Sequence, residues 1–263
     1  QQDCEKVGYR VVGIWDDHDF GGDNLVGAGE DGAPFLTLGK QRRKALLVNF
    51  LGQPTKTMLA GHEQIYAAYD FDRDGVHNRL ILLDLRYDRQ DPGPEARIIG
   101  DTQWQWLEKN LMDKKVNLQL IVSSTQVLRK EKGKDTWEEY PRERERLLKL
   151  IGASPAQGVV LLTGDIHAAE ISRLPREEAS QFGIRYDLYE ITASGLNRLR
   201  CYLGICSYAW KNAYQLGFAI DRNFGEIDIA RSADGAIALL ATLRASESPS
   251  KVLLRKNISF SKR

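Results

Sequence analysis

Cysteine is scarce in this chain. Three thiols, Cys4, Cys201 and Cys206, in 263 residues exclude a full disulfide framework, which needs paired cysteines in even number. Cys201 and Cys206 stand too far apart for a CxxC redox pair, and no second pair accompanies them for a zinc ribbon. They read as free thiols or as one local disulfide. Long apolar runs are also missing: nothing approaches the roughly 18–20 residues of a membrane span. The first residues, Gln1-Gln2-Asp3-Cys4-Glu5-Lys6, are polar and carry no signal-peptide pattern. They also lack an initiator methionine, so the chain reads as a processed or cut piece, and its compartment stays open.

An excess of one charge is absent as well. Lys and Arg number 37 against 36 Asp and Glu, a net charge of +1. That balance gives no bulk attraction for nucleic acid. The basic run Gln41-Arg42-Arg43-Lys44 reads as a solvated helix face. What remains is 42% hydrophobic, enough for a real core, and the length suits one domain over 1–263.

Apolar runs predict buried strands at Tyr9–Trp15, Tyr66–Phe71, Arg79–Leu85, Leu118–Val122, Gly158–Thr163, Asp187–Thr192, Ala219–Ala230 and Ala236–Ala245. Helical periodicity covers Lys40–Leu51, a segment capped by Asp101 with Trp104, Leu107 and Leu111 on one face, and a segment opened by Pro141. Gly21–Pro34 reads as a loop, and Lys130–Tyr140 as a charged, mobile one. Strands alternate with helices first and dominate the last third, which predicts an α/β layered sandwich.

Histidine is rare, with four in all, and two of them fall in acidic segments at strand exits. One segment is Trp15-Asp16-Asp17-His18-Asp19, with Asn24 close behind. The other is Gly164-Asp165-Ile166-His167. Carboxylate, imidazole and amide oxygen together hold hard and borderline metal ions. Crowded carboxylates repel one another unless a cation offsets them. Alternation along an extended segment puts Asp165 and His167 on one side. Asp84-Leu85-Arg86 reads either as an ion pair or as a guanidinium fork for an anion. Ser124 and Gln126 read as turn hydrogen-bonding residues, and His62 and His77 as surface or structural histidines. Trp104, Trp106 and Trp137 read as packing residues. A metal-free hydrolase with paired carboxylates would not need His in both motifs.

Taken together, these segments resemble the PhoD-like metallophosphatases, the alkaline phosphatase D family of the calcineurin-like phosphoesterases. The resemblance rests on Trp15–Asp19 with Asn24, Leu82–Tyr87, Gly100–Leu107, Ser123–Val127, Gly164–Glu170, Thr192–Leu196 and Asn223–Gly225, in order along nearly the whole chain. It implies an α/β/β/α sandwich with metals at strand ends. It also implies hydrolysis of a small phosphate monoester or diester by metal-activated water. Asp17, Asn24, Asp165 and His167 would be metal ligands, His18 an acid or anion stabiliser, and Arg86 a stabiliser of developing charge. The implied ions are iron with calcium, or other divalent ions. In the family an Asp, in some members a Cys, and a Gly-Asp-x-x-Tyr segment hold the first metal, all N-terminal to the WDDHD motif. Only fourteen residues precede Trp15, none carries these motifs, and Cys4 has no matching context. The resemblance therefore implies a domain lacking its first strands. The alternative is an incomplete, non-catalytic fragment that binds a metal or an anion.

Overall fold

The computed structural model describes residues 10–27, 39–51, 63–130, 135–198, 201–202, 205–206 and 212–262. Ala67–Arg73 (β1) and Val76–Leu82 (β2) form an antiparallel hairpin. Its turn is Asp74-Gly75, at φ 45° and 70°, a left-handed pair that Asp tolerates and Gly adopts freely. Leu118–Ser123 (β3) and Gly158–Thr163 (β4) continue the sheet in parallel. Ala169–Leu174 (β5) runs back, and Leu188–Ala193 (β6) lies parallel to β4 and antiparallel to β5. The two-residue strands Cys201–Tyr202 (β7) and Ile205–Cys206 (β8) make a small ribbon with Cys201 opposite Cys206. Gln215–Ala219 (β9) closes the far edge against β5. The order is β1-β2-β3-β4-β6-β5-β9. A second, antiparallel sheet contains Asn223–Arg231 (β10), Ile237–Ala245 (β11) and Val252–Phe260 (β12).

Five α-helices accompany the sheets among the described residues. They are Asp17–Phe20 (α1), Lys40–Leu51 (α2), Asp101–Leu111 (α3), Pro141–Ala153 (α4) and Arg176–Ala179 (α5). Residues of the parallel strands are apolar on both faces, as strands covered on both sides must be. Ile81, Ile121, Val159 and Leu161 meet Trp104, Leu107, Leu147 and Ile151 of α3 and α4. Leu118, Leu120, Val160 and Ile191 meet Ile229, Leu239, Leu243 and Phe260 of the second sheet. A third cluster packs Trp15, Phe20 and Val48 of α2 onto Ala67, Tyr69 and Leu82. Each fully buried Leu, Ile or Phe contributes about 1.5–3 kcal/mol.

Several sequence expectations need correcting. Residues 10–16 run as coil: Trp15 is buried without sheet pairing, so its apolar neighbours serve packing rather than a ladder. Asp101 is the first helical residue of α3, and Gly100 holds the cap position. Ala219–Ala230 is broken at residues 220–222 into β9 and β10. Of the loop expected at Lys130–Tyr140, residues 131–134 lie outside the described residues, and Thr136–Tyr140 is an ordered turn. It contains a 3-10 turn, Trp137–Glu139, fixed by the buried Trp137, whose Nε1 donates to Ser123 Oγ at 3.0 Å. His77 contacts Asp72 at 2.9 Å, an exposed structural pair, while His62 lies outside the described residues.

One buried strand residue gives the fold a pH dependence. Glu190 of β6 is fully buried and accepts the Val127 and Leu128 N–H groups at 2.6 and 3.2 Å. Burial, with the Glu170 charge adding to it, raises its pKa from 4.5 to about 8 against those bonds. Across that window the folded chain keeps a proton that the unfolded chain has released. Stability is therefore fullest below the unfolded value, falls as pH rises, and levels off above about 8. Acting alone, the group changes stability by on the order of 5 kcal/mol over the window. Urea midpoints measured from pH 5 to 9 should fall in the parent and fall less steeply in Glu190→Gln, where the buried Asp165 still contributes a slope of the same sign.

Candidate metal centre

The carboxyl ends of the parallel strands β2, β3, β4 and β6 point one way, and polar residues follow each of them. Such an end is where sheets covered by helices bind ligands. Beyond β2, the buried Asp84 accepts four N–H groups: Trp15 Nε1 at 2.7 Å, and the backbone of Ile65, Arg86 and Tyr87 at 3.0 Å each. Burial raises the Asp84 pKa, and these bonds oppose the rise. Asp84 thereby fixes the indole of Trp15 and, with it, the position of the acidic residues that follow.

Those residues enter the one-turn helix α1. The Asp16 backbone N–H donates to Asp19 Oδ2 at 3.2 Å. Asp17 is buried and accepts from His18 N at 2.7 Å and Asn24 N at 2.9 Å, so it also folds the Asn24 turn back toward the cluster. Asn24 Nδ2 donates to Asp23 Oδ2 at 3.2 Å. Beyond β4, Gly164–His167 is a tight turn rather than an extended segment, with Ile166 N donating to Gly164 O at 2.9 Å. Asp165 and His167 sit at φ 70° and 52°. Left-handed backbone at a non-glycine residue costs about 1–3 kcal/mol and is held by surrounding structure. Here His167 N donates to Ser194 Oγ at 3.0 Å. The turn, not strand alternation, brings both side chains to the same cleft.

That cleft has a volume of about 630 Å³, and Asp16, Asp17, His18, Asn24, Asp165 and His167 all line it. One carboxylate oxygen each from Asp16, Asp17 and Asp165 lies within 4.8 Å of the others. A similar group joins Asp17, His18 and Asp23. An apolar cavity of about 380 Å³, lined by Ile14, Val122, Leu162 and Ile227, adjoins the cleft and shares Asp16 and Asp165. This placement explains the electrostatics. Burial, then the charges of Asp16, Asp135 and Asp17, push the Asp165 pKa up to about 8. Burial also raises Asp16, against the opposing pull of Arg86.

Arg86 is fully buried, and carboxylates occupy both sides of its fork. It donates to Asp16 Oδ1 from Nε at 3.1 Å, and to Asp135 Oδ1 and Oδ2 at 3.1 and 2.5 Å. Burial works against its charge, yet Asp16 and Asp135 outweigh that and push its pKa up. Arg86 thus pairs with Asp16 and Asp135 and not with Asp84, which accepts only its backbone N–H, and both sides of its fork are taken by carboxylates. Ser124 does not make the expected turn bond: Ser123 Oγ donates to Thr125 O at 2.6 Å instead. Gln126 Nε2 donates to Thr192 Oγ1 at 3.2 Å.

Sequence reasoning counted Asp16 among the crowded carboxylates of its motif but did not assign it as a ligand, whereas one of its oxygens lies in the cluster with Asp17 and Asp165. It missed Asp135, which pairs with both Arg86 and Arg89. Asp23, Ser194, Asn197 and Arg198 complete the cleft wall. Only the proximity of Asp23 to Asn24 and of Ser194 to the Thr192–Leu196 motif signalled them.

Known proteins resemble this chain in sequence and in fold. The family model described as PhoD-like phosphatase matches residues 7–229. Alkaline phosphatase D of Bacillus subtilis (strain 168) is 25% identical over 210 residues, covering 70% of this chain and 36% of that protein. The chain thus spans about a third of the length of this curated relative. A solved structure of PhoD superposes with a TM-score of 0.62 at 18% identity, covering 94% of this chain and 54% of the other. A purple acid phosphatase from yellow lupin (Lupinus luteus) seeds superposes with a TM-score of 0.53 at 15% identity, covering 92% and 40%. These superpositions give a calcineurin-like α/β fold for the mixed sheet. With most of its length matched, the chain belongs to the PhoD-like phosphatase family.

Proposed function

We propose that the protein hydrolyses a small phosphate monoester or diester in the acidic cleft, with divalent or trivalent metal ions as cofactors. One observation carries this reading: carboxylate oxygens from two segments far apart in sequence, Asp16 and Asp17 on one side and Asp165 on the other, converge within 4.8 Å. Carboxylates crowded in this way repel one another, and a cation between them offsets that repulsion. The donor set around them, with the Asn24 amide and the His167 imidazole on the same cleft, suits hard or borderline ions, iron with calcium among them. When bound, such ions supply Lewis acidity that polarises phosphoryl oxygens and lowers the pKa of water to roughly 7.

The side chains divide the remaining work. Asp17 and Asp165 hold the ion from opposite segments, and Asn24 and His167 complete the donor set. His18 is exposed on the cleft, with its backbone N–H committed to Asp17. Its ring donates a proton to the ester oxygen as that oxygen leaves phosphorus. Arg86 acts through Asp16, which it holds by a charge-assisted fork, and does not touch the substrate.

Removing metal from the intact protein with a chelator should abolish hydrolysis of p-nitrophenyl phosphate and of its bis-ester. Restoring the ion should restore turnover. Undiminished turnover in the metal-free protein would overturn the reading.

A further inference from the structure

A cleft built for an anionic ester carries an electrostatic deficit. Its wall includes Asp16, Asp17, Asp19, Asp23 and Asp165. Arg86 cannot offset them for the substrate, because it is fully buried against Asp16 and Asp135. Among the described residues, one arginine does line the cleft: Arg198, on the segment that follows β6. Its side chain is exposed and makes no ion pair with a described carboxylate.

The backbone that carries Arg198 is anchored. Ser194 N donates to Ala168 O at 3.2 Å, and Ser194 Oγ accepts from His167 N at 3.0 Å. Gly195 O accepts from Asn223 N at 3.0 Å, and Leu196 O accepts from Ser246 Oγ at 3.0 Å. At Gly195 the chain passes so close to β10 that a Cβ would stand 2.4 Å from Asn223 Nδ2. The segment is therefore tied to the Asp165–His167 turn at Ser194 and to the second sheet and its loops at Gly195 and Leu196. A guanidinium with no ion pair among the described residues thus lines the same cleft as the carboxylate cluster, two residues beyond this anchored stretch, and its planar fork matches two phosphoryl oxygens.

We propose that Arg198 is the substrate-binding cation of this cleft and receives the non-bridging oxygens of the phosphoryl group. This rests on the phosphoester reading above. The assignment favours substrates with more negative charge on those oxygens, so a monoester dianion gains more from Arg198 than a diester monoanion.

The test uses the intact, metal-loaded protein and inorganic phosphate as the probe. In Arg198→Ala, calorimetric titration should show phosphate binding weakened roughly ten- to a hundredfold, the range for a hydrogen bond to a charged group. Arg198→Lys, which keeps the charge and loses the fork, should fall between parent and alanine variant. Metal content should be unchanged in both. The ratio of kcat/KM for p-nitrophenyl phosphate to that for its bis-ester should drop in the alanine variant. Phosphate binding equal to the parent in Arg198→Ala, or absent from the parent itself, overturns the proposal. Loss of the phosphoester reading shows differently: the parent fails to turn over either ester, while the binding titration still reports on Arg198.

Discussion

Asp165→Asn is expected to lower phosphoester hydrolysis by roughly two to three orders of magnitude, the scale on which removal of one preorganised charge stabiliser acts. Asparagine matches aspartate in shape and tolerates the φ of 70° that the turn demands, so the backbone has no reason to move. The substitution removes the ionisable group, at a point where burial, then the charges of Asp16, Asp135 and Asp17, disfavour its carboxylate form. Two stability readings should then diverge. The metal-free variant should melt higher than the metal-free parent, because the folded parent must hold at Asp165 either a disfavoured charge or a proton that the unfolded chain has released. Adding metal should raise the melting temperature of the parent and leave the variant nearly unmoved, because stabilisation by a ligand follows its affinity for the folded state. Scanning calorimetry with and without metal, beside kinetics on p-nitrophenyl phosphate, reads both. A variant that retains parent-like turnover would remove Asp165 from the site.

The largest stability effect should come from a residue outside the motifs. Asp135 is buried and faces two buried guanidiniums, those of Arg86 and Arg89. Asp135→Ala leaves Asp16 alone against Arg86 and strips Arg89 of its nearest carboxylate. Breaking a buried ion pair from one side costs about 3–5 kcal/mol, because the remaining charge stays desolvated. Urea unfolding should show that loss. Asp135→Asn keeps hydrogen-bond acceptance while losing the charge, and should fall between the two. A parent-like midpoint for the alanine variant would mean that the Arg86 fork does not depend on Asp135.

These two residues mark the limits of what the sequence discloses. Asp165 announces itself, since a carboxylate and an imidazole follow a run of apolar residues at Gly158–Thr163. Asp135 does not, because its partners lie far from it in sequence and its own surroundings, Lys134 and Glu138 among them, read as solvated charge. The same physics governs the strands. Leu118–Val122 and Gly158–Thr163 are legible because both of their faces are buried and apolar. β5 was missed because Glu170 and Ser172 are buried in it, satisfied by Asn212 at 2.8 and 2.9 Å. β12 was missed because Arg255 and Asn257 on its exposed face, with the half-buried Lys256 between them on the other, interrupt its apolar pattern. Residues 10–16 erred the other way. Val12 and Ile14 pack against the third cluster, and apolar content alone does not distinguish a packed coil from a strand.

The left-handed turn at Asp165 and His167 has a consequence for directed evolution. A library randomised at both positions and sorted only for expression should converge on glycine and asparagine, the residues that take this backbone at least cost. Sorting the same library for hydrolysis should return aspartate and histidine, both of which still tolerate positive φ. The alphabet at these two positions is cut down by main-chain geometry first, and chemistry chooses from what is left.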